Sequence, residues 1–170
     1  MYLDKSNLDE IITFPKLVIN ELSKNQTFVS LLTDIPFADL SSESTELEWD
    51  NCIHDYDYIE GVIQESKSFC CIDTEFIQTS NTIKDVYITV LIGVHHANMN
   101  LRNSSFTGIS GNRRDNLIKE LDRTLRNNTS FGIGGLELYG RIKPVTIAGK
   151  EFACKIVTYK VPNFAKAVGV

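Results

Sequence analysis

The chain has 170 residues, 42% of them hydrophobic and 23% charged, and a formal net charge of −5. That length supports one domain with its own core, and the composition is that of an ordinary globular protein rather than a disordered or collagen-like one. No run of about 18 apolar residues is present, which excludes a helical membrane span, and the pI of about 5.2, without a dense Lys/Arg stripe, disfavours nucleic-acid binding.

The start, Met1-Tyr2-Leu3-Asp4-Lys5, is acidic early and has no apolar signal core. No secretion and a cytoplasmic site of synthesis are therefore expected. Residues 1–14 read as an N-terminal arm, loosely ordered or briefly helical. Pro15 suits the first turn of a helix that continues through Lys16 to Lys24, with Leu17, Val18 and Leu22 on one side. Asn25 reads as the N-cap of a second short helix, Gln26 to Thr33, carrying Phe28, Leu31 and Leu32. Helices this short are marginal alone and need a sheet to pack on.

Residues 38–66 read as an irregular insertion. Ser41-Ser42-Glu43-Ser44-Thr45-Glu46 is polar and acidic, an exposed loop by composition. Gly61 and the polar run Gln64-Glu65-Ser66 mark a further bend.

Lys67 to Ile77 predicts a strand rich in Phe, Ile and Thr, and Thr79-Ser80-Asn81-Thr82 a turn. Ile83 to His95 predicts a long strand. Val86, Ile88, Val90, Ile92 and Val94 share one face, and Tyr87, Thr89 and Leu91 the other. The two strands form an antiparallel hairpin in this reading. Ala97 to Gly111 is a polar loop, after which Asn112 caps a helix from Arg113 to Arg126, with Asp115 three residues on. Leu117, Ile118, Leu121 and Leu125 form its apolar stripe, and Asn127-Asn128 ends it in left-handed geometry.

Leu136 to Val145 predicts a strand in which Gly140 and Pro144 mark a bulge or an edge. After a turn at Ala148-Gly149 comes a last strand, Glu151 to Val161, and then an exposed tail, 163–170. The expected fold is one α+β domain over 1–170. Its sheet is antiparallel, of mixed order, built of two hairpins with a helix between them and short N-terminal helices.

No chemical motif survives inspection. Cys52, Cys70, Cys71 and Cys154 show no CxxC spacing, and neighbours Cys70 and Cys71 point to opposite faces of a strand. Reduced, buried thiols are expected. His95-His96 diverge in the same way, and His54 with Asp55 and Asp57 reaches a metal only if the fold converges them. Phe131-Gly132-Ile133-Gly134-Gly135 lacks the dinucleotide spacing and precedes a strand, so it reads as a turn rather than a phosphate cradle. The expectation is therefore no catalytic residue, no cofactor-binding residue, no metal ligand and no enzymatic activity. A small enzyme or ligand-binding domain finds support only in the Cys and His content.

Charge is unevenly placed. Residues 1–60 hold 13 acids against Lys5, Lys16 and Lys24, whereas residues 61–170 hold 14 bases and 9 acids. Such a division is either solvated surface or a polar contact between neighbouring copies of the chain.

The order of elements resembles the tail-terminator (tail-completion) proteins of long-tailed bacteriophages. The residues that carry the likeness are Leu17-Val18-Ile19-Asn20-Glu21-Leu22, Phe28-Val29-Ser30-Leu31-Leu32, Phe69 to Glu75 and Lys84-Asp85-Val86-Tyr87-Ile88-Thr89-Val90. The helix Arg114 to Asp122 and the run Phe131 to Leu138 complete it, so that it covers residues 15–161. The acidic stretch 38–66 departs from the pattern by its length. The resemblance implies a structural virion protein of the head–tail neck, assembled in the host cytoplasm. It implies a homo-oligomeric ring, typically of six subunits, that ends the tail tube. Its partners would be further copies of itself, the tail tube protein and head-side connector or stopper proteins, with genomic DNA passing an acidic pore unbound. Loops 96–112 and 38–60 and both termini are the candidate contacts. A head-completion stopper or connector adaptor is the competing neck role.

Overall fold

The computed structural model describes residues 9–41, 43–56, 67–78, 84–101, 106, 108–131, 135–147 and 151–161. Four α-helices and five strands follow in the order α1 (Asp9–Ser23), α2 (Gln26–Thr33), α3 (Glu43–Cys52), β1 (Ile53–His54), β2 (Ser68–Gln78), β3 (Lys84–His95), α4 (Arg113–Leu125), β4 (Glu137–Val145) and β5 (Phe152–Val161). The strands form one sheet in the order β1-β2-β3-β5-β4. The α+β class expected from the sequence is the class observed.

The two pairings of the long strand β3 are antiparallel, as is the β4–β5 hairpin. β2 pairs β3 from Ser68↔Val94 to Gln78↔Lys84, and β5 pairs β3 on the other side from Val86↔Val161 to His95↔Phe152. β3 is thus the central strand, which is why its alternation was so regular. Val86, Ile88, Val90, Ile92 and Val94 are all fully buried on the face that carries the helices. Cys70 and Ile72 of β2 and Val157, Tyr159 and Val161 of β5 complete that face. α1 and α2 lie over β2, and α4 lies over β3 and β5.

The helices form where their apolar spacing and caps direct. In α4, Leu117, Leu121 and Leu125 are fully buried. The Asn112 carboxamide accepts from the Asp115 amide at 2.8 Å and donates to the Asp115 carboxylate at 2.9 Å, the expected N-terminal cap. The Asn25 side chain likewise accepts from the Phe28 amide at 3.0 Å, and its Nδ2 donates to Thr124 Oγ1 at 2.9 Å, so one residue caps α2 and ties it to α4. Asn127 takes φ 62°, as expected at a helix end.

Three expectations need correction. The N-terminal arm does not extend to residue 14, because α1 already begins at Asp9 and runs through Pro15. Phe14, Val18 and Leu22 are buried one turn apart, and this packing outweighs the main-chain hydrogen bond that proline removes. The stretch 38–66 is not irregular throughout, and residues 43–46 are not loop: α3 occupies Glu43–Cys52 and leads directly into β1. Its buried stripe is Thr45, Trp49 and Cys52, at helical spacing but with only one large apolar residue, while Leu47 is 65% exposed. The sheet is not wholly antiparallel either, since β1 pairs β2 in parallel through Ile53↔Cys70 and His54↔Cys71. Residues 1–8, the bend at Gly61–Ser66, the turns at 79–82 and 148–149, Gly132 and Gly134, and the tail 163–170 lie outside the described residues.

Candidate interaction surface

The sheet has a second face, and no described helix covers it. Phe69, Cys71 and Cys154 are buried there in a small cluster with Leu91, Val145 and Phe152 packed against it. Phe69 and Phe152 meet edge to face at 5.3 Å. Beyond this cluster opens a groove of about 520 Å³, floored by Tyr87, Thr89, Ile156 and Thr158. Glu75 and Ile77 form the β2 wall and Tyr139, Arg141 and Lys143 the β4 wall. Tyr87 and Tyr139 lean on each other at 4.7 Å across the floor. Lys160 pairs with Asp85 at 3.1 Å, and that carboxylate holds the ammonium above its ordinary pKa.

β4 forms the outer edge and is unlike the other strands. Its pairing with β5 shifts register between Tyr139 and Lys143, a bulge at which Gly140 takes φ 72°, where a side chain is strained. From Tyr139 through Pro144 the usual alternation is lost, and Gly140 to Pro144 are exposed on both faces. Tyr139 is 52% exposed and Ile142 38%. Arg141 and Lys143 have no ion-pair partner among the described residues.

At the opposite edge, α3 stands beside β1, with Trp49 packed edge to face on Phe28 of α2 at 6.3 Å. A second groove, of about 580 Å³, lies between α2 and α3. Val29, Phe37, Leu40 and Trp49 provide its apolar lining and Glu46 and Asp50 its acidic rim.

Among the described residues, those weighed for chemistry do not converge, and Asp57 lies outside the described residues. All four cysteines are buried thiols outside any disulfide. Burial pushes the Cys70 thiol well up and the Cys154 thiol to about 11, so both are held protonated. Cys70 and Cys71 point to opposite faces as expected, one into each apolar cluster. His54 stacks on Tyr56, whose hydroxyl meets Nδ1 at 3.1 Å, and burial lowers its pKa. His95 lies against Phe152 and 4.0 Å from Glu151, whereas His96 is exposed. Among the described residues, no three His, Cys, Asp or Glu side chains are grouped to hold a metal. Gly135 is required for close packing: a Cβ there would lie 2.5 Å from the Asn127 backbone.

The loop 96–112 is less free than its composition implied. Met99, Leu101, Phe106 and Ile109 pack on the core. Arg113, only 4% exposed, holds the loop from beneath. Its Nε donates to the Asn98 carbonyl at 2.9 Å and its NH1 to the Leu31 carbonyl at 2.8 Å, while NH2 meets the Asp34 carboxylate at 2.6 Å. Its guanidinium also lies 5.1 Å from the centre of the Phe106 ring. The groove beside α3 and the projecting part of β4 were not anticipated as a pair. The β4 signal was present in the sequence as Gly140 and Pro144. The α3 signal was hidden because Thr45 and Cys52 do not count as large apolar residues.

A family model, YomW, matches residues 24–161, from just before α2 to the end of β5. No curated protein and no solved structure matches the chain.

Proposed function

This chain belongs to the YomW family, which is phage-related, and from that premise we propose that it is a structural, non-enzymatic protein of the virion neck. In this reading six copies form a ring that ends the tail tube and joins it to the head-side connector. The family match over residues 24–161 carries the phage part of the reading. The terminator role is supported by the hairpin, helix and second hairpin that follow the N-terminal helices on a single sheet, with α3 and β1 inserted before the first hairpin.

Assembly is the chemistry this surface suits. The conspicuous features are grooves, an exposed edge strand and charges without an ion-pair partner among the described residues, while the thiols that a nucleophilic mechanism would need are buried, and burial pushes those of Cys70 and Cys154 up. Copies of the chain, the tube protein and a connector protein are the partners, and assembly takes place in the host cytoplasm before the genome passes through the ring. Acidic surface of residues 1–60 that the contacts between copies leave open is the natural pore lining, since it repels a polyanion.

Deleting the gene from an inducible phage that carries it, and imaging the particles by electron microscopy, tests the role. The expected result is filled heads without tails beside free tails of irregular length, restored by supplying the gene in trans. Normal particles from the deletion would overturn the reading, and uniform tails with leaking heads would reassign the chain to a stopper.

A further inference from the structure

We propose that the projecting part of β4 in one copy docks into the α2–α3 groove of the next copy, as the knob and socket of a head-to-tail contact. The proposal deepens the ring reading and rests on it for the number of copies, but its geometry comes from this chain alone.

The knob is the most exposed part of β4, at the register shift in its pairing with β5. Gly140 to Pro144 are exposed on both faces, and Tyr139 and Ile142 present apolar surface there beside Arg141 and Lys143. Main-chain pairing with another strand is discouraged at this edge by the bulge at Gly140, by Pro144 and by the two cations. Contact must therefore be made through side chains.

The socket has the complementary character. Phe37, Leu40 and Trp49 give an apolar floor, and Glu46 and Asp50 an acidic rim, in a groove of about 580 Å³. Phe37 is 42% exposed. Neither Glu46 nor Asp50 has an ion-pair partner among the described residues. An exposed strand that carries Tyr139, Ile142 and two cations without a partner among the described residues fits an apolar groove with two anions in the same condition. The second copy is the occupant that this match selects, because both halves belong to one chain.

Their placement decides the symmetry. The sheet order β1-β2-β3-β5-β4 puts α3 beyond one edge and β4 at the other. Across five strands the two edges lie roughly 19 Å apart, at about 4.8 Å per strand spacing. A contact between two different patches is heterologous, so it propagates from copy to copy and either closes into a ring or grows as a filament.

The test is a charge swap on the full chain. One variant carries R141E and K143E, the other E46K and D50K. All four positions are exposed, so folding should be kept, as circular dichroism and unfolding midpoints will verify. Self-association is followed by sedimentation velocity and native mass spectrometry at low and high salt. Each variant alone is expected to associate about tenfold more weakly or worse than wild type, because like charges then face each other. Mixed in equal amounts, the two are expected to recover assemblies larger than dimers, in alternating order. Association of wild-type strength in either variant alone, a mixture that stays monomeric, or a wild-type chain that is monomeric even at low salt would each overturn the contact. Failure here is distinct from failure of the neck role: the deletion phage can lack joined particles while the swapped chains still assemble, and the reverse is equally readable.

Discussion

Among single residues Arg113 has the largest structural role. Its buried guanidinium joins the C-terminal end of α2, the loop before α4 and the start of α4 through two carbonyls and the Asp34 carboxylate. Asp34 meets it from the left-handed C-cap position, φ 62°, and its side chain is half-exposed. Truncation would remove the donor that Arg113 now gives to the Leu31 and Asn98 carbonyls. Arg113→Ala is therefore expected to lower unfolding stability by about 3 kcal/mol or more, read from urea denaturation. A loss below about 1 kcal/mol would show that water replaces the guanidinium at no great cost. Tyr159 makes a simpler bond of the same kind, its buried hydroxyl donating to Asp122 Oδ1 at 3.1 Å. Burial first, and then the Asp122 charge, push that phenol far above its ordinary range.

Between elements, Asp115 fastens α4 to the sheet. Lys155 on β5 reaches it at 2.6 Å, and Arg114 at 3.1 Å. Burial alone would raise this carboxyl, but hydrogen bonds from Lys155, Asn112 and Arg114 outweigh it and hold the pKa at about 2, below the ordinary 3.8. A depressed carboxyl contributes stability that is present above the unfolded pKa and is lost as pH falls through the folded one. The window is therefore pH 4 to pH 2. Because the carboxylate is 44% exposed, solvent screening cuts the contribution to about 1 kcal/mol. Asp115→Asn is expected to remove that much at pH 6 and almost nothing at pH 2, measured by denaturant unfolding at both. An equal loss at both pH values would mean that the Asn112 cap, rather than the charge, is what the substitution damages.

At the scale of the whole molecule, the chain is one helical layer on a sheet, with a smaller apolar cluster beneath. Cys52 and Cys70 lie in the main core and Cys71 and Cys154 under the sheet, so the four thiols report on both sides of it. At pH 8 the native protein is expected to leave all four unreactive towards an aromatic disulfide reagent. Labelling should appear in one step at the denaturant concentration of global unfolding. Fast labelling of Cys71 or Cys154 in native buffer would show that the lower face opens independently of the helical core. The charge division follows the same architecture. The acidic residues 1–60 build α1, α2, α3 and β1, and the basic remainder includes the opposite edge, so the sequence asymmetry becomes a spatial one.

What the sequence determined by itself is whatever local periodicity encodes. The alternation from Val86 to Val94 set the central strand and its buried face. Asn25 and Asn112 set two helix starts to the residue, and the Leu117–Leu125 stripe set the long helix. In each case neighbours a few positions apart carry the whole signal, because strand and helix periods are properties of the local backbone. The tertiary structure alone decided the rest. It made α3 a helix by giving Trp49 a partner in Phe28, and it carried α1 through Pro15 by burying Phe14. It added the parallel strand β1 and set Arg113 under a loop that had read as free. The knob on β4 and the socket beside α3 belong to this second class. Gly140 and Pro144 announced a bulge, but only the strand order could place that bulge and an acidic groove at opposite ends of one sheet.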